Sequence, residues 1–119
     1  MQKFHFQFEV AQESANEQTA QIIVERVRAL GVAEEVEASP EEARFTGLEV
    51  VAIISTVILI VDRSDELIEK LRKLIKSLKG LTGDVKDLKS SFVEVGAKRV
   101  PLTEVNEDDP EQLKALIHS

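Results

Sequence analysis

The 119-residue chain predicts a single α/β (α+β) domain spanning 1–119, a small mixed sheet with packed helices that include one long central helix. Three observations lead there. Phe4, Phe6, Phe8 and Val10 alternate with polar residues. Residues 14–30 combine a capping pattern with helical apolar spacing. An apolar run from Val50 passes without Gly or Pro into a leucine heptad that ends at Lys79.

The first element follows from period 2. Lys3, His5, Gln7 and Glu9 fall between the apolar residues, so a strand with one buried and one wet face is expected. The second starts at Ser14, followed three residues later by Glu17 as in a capping box. Ala20, Ile23, Val24, Val27 and Leu30 then recur at helical spacing before Gly31, predicting a helix over 15–30. Residues 32–38 suit an acidic edge strand or ordered loop, and Ser39-Pro40-Glu41-Glu42 has the form of a helix N-cap with Pro at the first helical position.

The 50–61 stretch, VVAIISTVILIV, is uncharged and rich in β-branched residues, which favours a strand on propensity alone. Leu67, Leu71, Leu74 and Leu78, with Ile68 and Ile75, make the following segment a helix. With nothing to separate the two, one helix over 48–79 is expected, roughly 48 Å at 1.5 Å per residue. Residues 80–90 suit a flexible extension or linker. Phe92 to Val105 predicts a hairpin around Gly96-Ala97, with Pro101 at an edge, and Asp109-Pro110-Glu111-Gln112 opens a last helix.

Composition limits the function classes. Net charge is −7, which opposes general nucleic-acid binding, since that affinity rests on Lys and Arg against phosphate. The charge is uneven: residues 69–89 hold seven basic residues against three acids, a basic strip on an acidic body. There is no cysteine, hence no disulfide framework, thiolate nucleophile or Cys-ligated zinc, and a cytoplasmic setting is expected. The N-terminus lacks the apolar stretch of an export signal. Twelve uncharged residues between Glu49 and Asp62 are too few to span a membrane. Peripheral attachment through the apolar helix and the Lys-rich strip is the second functional class considered.

No site chemistry emerges. One acidic cluster holds Glu34, Glu35, Glu37, Glu41 and Glu42, and a second Glu104, Glu107, Asp108, Asp109 and Glu111. Both lack calcium-loop spacing, and His5 and His118 stand at opposite ends of the chain. A GxSxG elbow and a Gly-rich phosphate loop are missing, so no catalytic residue, metal or cofactor is assigned. A small acid/base enzyme is the third class, resting only on the abundance of carboxylates. The site expected is instead an interface: a helix near 48 Å outreaches short strands, so Leu67, Leu71, Leu74 and Leu78 should pair with a second copy and make the protein a homo-oligomer.

The stretches KFHFQFEV, VRALGVAEEVEASPEEARFTGLEVVAIISTVILIV and SSFVEVGAKRVPLTEVNEDDPEQLKALI resemble, in their order, the effector-associated constant component family of bacterial conflict systems. This chain departs from it in carrying a charged leucine heptad where a shorter Arg-rich stretch is expected. The resemblance implies a non-enzymatic adaptor or accessory protein that binds a protease-type or NTPase effector, and it supplies no catalytic residue.

Overall fold

The computed structural model describes residues 2–11, 15–45, 48–59, 64–83, 85, 88–95 and 98–117. Strand β1, Gln2–Val10, is the alternating segment, and its register buries Phe4, Phe6, Phe8 and Val10 on one face. Helix α1 runs over Glu17–Ala29. Its N-cap is Asn16, whose Oδ1 accepts from the Thr19 N–H at 2.9 Å; the expected cap, Ser14, lies outside the described residues. Ala20, Ile23, Val24 and Val27 point inward, and Gly31 ends the helix at φ +69, a left-handed conformation that costs glycine nothing.

The largest departure from expectation follows. Residues 33–45 and 48–59 form two long antiparallel strands, β2 (Ala33–Phe45) and β3 (Leu48–Leu59), paired from Ala33↔Leu59 to Phe45↔Leu48. The single helix over 48–79 is therefore corrected: its first half is β3 and only Ser64–Lys79 is helical, as α2. Nine of the twelve residues in 50–61 are Val, Ile or Thr, whose χ1 stiffness penalises a helix and suits a pleated ladder. β3 also finds a partner on each side, β2 and β1, which a propensity scale cannot register. The helix start expected at Ser39-Pro40 is corrected too, since both residues lie within β2. Proline is tolerated there because β2 is an edge strand, with no further strand to receive its missing N–H.

Strand β4, Leu88–Val95, and short β5, Lys98–Pro101, make the expected hairpin, whose tip Gly96-Ala97 lies outside the described residues. Two 3₁₀ turns, Gly80–Gly83 and Leu102–Glu104, follow α2 and β5, and helix α3 covers Pro110–Ile117. The Asp109 carboxylate accepts from the Glu111 N–H at 3.0 Å, as its position before Pro110 predicts. Within 80–90, Leu81 and Val85 are buried in the core and their backbones are bonded, Val85 N–H to Leu81 C=O, at 2.8 Å.

The five strands lie in the order β2-β3-β1-β4-β5, antiparallel at every pairing where a mixed sheet was expected. The units β1-α1-β2 and β3-α2-β4 each step over one intervening strand. That is the doubly split β-α-β arrangement of ferredoxin-like folds, here extended by β5 and α3. One core joins the inward face of the sheet (Phe6, Phe8, Ile53, Val57, Val93) to the buried faces of α1, α2 and α3.

Candidate interaction surface

The leucine face of α2 belongs to this core. Leu67, Leu71, Leu74 and Leu78 are 4%, 0%, 0% and 1% exposed within a single chain. The expectation that some would lack an internal partner is corrected by geometry. α2 has 16 residues, about 24 Å, and β3 with 12 residues spans about 40 Å, so the sheet is long enough to cover the helix. The four leucines leave no stripe for a second copy.

The part of the basic strip from Lys70 to Lys79 lies on the outer side of α2 and is partly answered by the second acidic cluster, whereas Lys89 is on β4 and Lys86 lies outside the described residues. Lys79 Nζ donates to the Glu107 carboxylate and to the Val105 carbonyl, both at 2.5 Å. Arg72 Nε donates to Asp108 at 3.0 Å and its Nη1 to Glu69 at 3.2 Å. The segment after β5 is thus clasped to α2 by charge, while Leu102, Val105 and Leu113 anchor it in the core. Lys79, with a backbone bond and the field of Lys76, holds the Glu107 carboxyl below its ordinary range.

The other side of the sheet faces away from the three helices. The register places Glu35, Glu37, Ser39 and Glu41 of β2 there, beside Ile58, Thr56, Ile54 and Ala52 of β3. Lys3, His5, Gln7 and Glu9 of β1 follow, then Ser90, Phe92 and Glu94 of β4. Three of these strands present the polar set that an uncovered face calls for. β3 does not. Ile54 and Ile58 are half-buried without any helix over them, and Phe92 is likewise half-buried.

Around this apolar centre the polar groups are tied to one another. His5 Nδ1 and Thr56 Oγ1 lie 3.1 Å apart across the β1–β3 ladder. Gln7 Nε2 donates to Glu94 Oε1 at 2.6 Å, and Arg99 of β5 donates to Gln7 Oε1 at 3.2 Å and pairs with Glu9 at 3.5 Å. The same guanidinium lies over the Phe92 ring, 4.5 Å from its centroid. The face has a rigid middle and a strongly acidic flank on β2, where Glu35, Glu37 and Glu41 are exposed.

The first acidic cluster therefore forms the edge of the sheet. Next to it, between the end of α1 and β2, lies a shallow cleft of about 320 Å³ lined by Arg28, Ala33, Glu34, Glu35, Val36 and Glu37. Among the described residues no group of three or more His, Asp and Glu could hold a metal. His118 lies outside the described residues. Among the described residues no helix is long and apolar enough to cross a membrane, and the part of the apolar run up to Leu59, expected in a membrane-contacting helix, is β3, paired on both sides.

The sequence puts Ile54 and Ile58 in a buried helix and Phe92 in a hairpin, not together on one open face. A trace of them was present: a strand with one open face should alternate apolar and polar, and the 50–61 run fails to. The chain matches no family model, no curated protein and no solved structure.

Proposed function

We propose that this chain is a cytoplasmic, non-enzymatic adaptor that binds another protein through the uncovered face of its sheet. The supporting observation is the apolar character of β3 on that face, where Ile54 and Ile58 sit with Phe92 over no helix of their own. Apolar side chains left half-exposed on an open face gain roughly 25 cal/mol for each further Å² once a partner covers them.

Charge selects the partner. The face carries Glu9, Glu35, Glu37, Glu41 and Glu94 against Lys3 and Arg99. Two copies laid face to face would oppose like charges at the rim, a cost to association. A foreign protein with an apolar contact patch ringed by Lys and Arg fits better. The protease-type or NTPase effector implied by the family resemblance is the partner we assign to this face.

The test is titration calorimetry against purified protease-type and NTPase effectors of bacterial conflict systems. Replacing Ile54 and Ile58 together by Glu is expected to weaken binding at least tenfold, while Lys73→Glu with Lys76→Glu on the opposite side leaves it unchanged. Binding that survives the first pair, in a variant whose circular dichroism is unaltered, overturns the assignment of this face.

A further inference from the structure

We infer that the free edge of β2 is a strand-addition site for an extended protein segment carrying Lys or Arg at alternate positions. This goes beyond the sheet-face proposal: it shares Glu35 and Glu37 with that face but rests on the outer backbone of β2, not on Ile54, Ile58 and Phe92, so either can fail alone.

The sheet order ends at β2, so among the described residues one side of its backbone has no strand to pair with. β2 has 13 residues, one more than its neighbour β3, and its last four pair with β3 beyond the point where β1 stops at Glu9↔Ala52. Long free edges invite pairing, and proteins limit this with charge, proline and bulges. β2 carries all three. The register shifts between Ala33 and Glu35, and Pro40 removes one N–H. Between them, residues 35–39 keep a regular ladder with β3 and a continuous outer backbone.

The charge on this stretch has one sign. Glu35 and Glu37 are exposed at alternate positions, with Glu34 at the bulge and Glu41 beyond the proline. A second β2 laid antiparallel would put carboxylate opposite carboxylate, which is destabilising, whereas Lys or Arg at every second position would give favourable cross-strand pairs. The intervening residues of such a segment would turn toward the side where Val36 is buried under α1. The cleft between Arg28 and Glu35 lies at the same edge and can take one side chain of the arriving strand. Backbone pairing supplies affinity and the alternating carboxylates supply selection, the division of labour seen in strand-addition recognition.

The experiment uses the full chain, isotopically labelled, and a synthetic nine-residue peptide alternating Lys and Val. Amide shift changes are expected to concentrate at 33–41, with the corresponding peptide of Glu and Val giving none. Glu35→Lys with Glu37→Lys, both exposed and so compatible with the fold, should weaken binding at least tenfold. Electrostatic adhesion is separated from strand pairing by two further peptides, each N-methylated on one alternate set of amides. One set should abolish binding and the other should be tolerated. Binding that tolerates both sets, or shift changes centred away from β2, overturns the inference.

Discussion

Single residues in this protein act mostly through where a neighbour places them. Gly31 is required by its φ of +69 and not by crowding, since a methyl group there would meet nothing within 4 Å. Glu107 is more consequential, because it joins the segment after β5 to α2 through Lys79, in a pair whose side chains are 28% and 16% exposed. Its carboxyl is held below the ordinary 4.5 chiefly by the hydrogen bond from Lys79, so the folded state binds this proton less readily than the unfolded chain. The stabilisation is therefore complete above the unfolded value and is lost as pH falls through the lower, folded one. Glu107→Gln is expected to cost about 1 kcal/mol at neutral pH, a charged hydrogen bond discounted for partial exposure. Urea melts of the two proteins should converge once the pH is far enough down to protonate Glu107 in both states; a constant difference at every pH would mean that the pair does not act through this proton.

At the scale of elements the decisive assignment is β3. In a helix Ile53 and Ile54 would lie 100° apart and share much the same environment, whereas in a strand they face opposite sides. Ile53 is fully buried against the helices and Ile54 is half-buried on the open face. Ile53→Asp should cost more than about 3 kcal/mol, because an unpaired carboxylate would enter the core. Ile54→Asp should cost about 1 kcal/mol or less, since its side chain can reach water. Equal destabilisation in thermal or chemical melts would refute the strand. Ser55, which shares the inward face with Ile53, is accommodated by donating its buried hydroxyl to the Glu37 carbonyl at 3.0 Å, a bond that exists only if β2 lies beside β3.

For the whole molecule, the two-layer arrangement separates three roles. The helices and the inner sheet face hold the core, the segment from Leu102 to Ile117 closes over α2, and the outer face and β2 edge, uncovered by any described element, are where the proposed partners would bind. The leucines of α2 sit at the centre of the first role. Leu71→Lys with Leu78→Lys is accordingly expected to abolish the cooperative melt, since two charges would be placed where exposure is 0% and 1%. Were these residues an oligomer interface, the same variant would stay folded and only its mass by light scattering would fall, which separates the two outcomes in one preparation.

Much of this was legible in the residues themselves. The alternation of Phe4, Phe6 and Phe8, the helical spacing ending at Gly31, the heptad of α2, the hairpin before Pro101 and the cap at Asp109 are local patterns, each decided within a dozen residues, and the described structure contains the element each implies. Tertiary structure alone decided the 48–59 stretch, and it carried the acidic edge strand offered over 32–38 on to Phe45. An apolar, β-branched run is compatible with a buried helix or a central strand, and the choice depends on ladders with β1 and β2. The first of these joins residues some 50 positions apart in sequence, a separation that no local pattern records. The candidate surface was hidden for the same reason. Ile54 and Ile58 look like core in the sequence, and only the placement of all three helices on the opposite face of the sheet leaves them open to a partner.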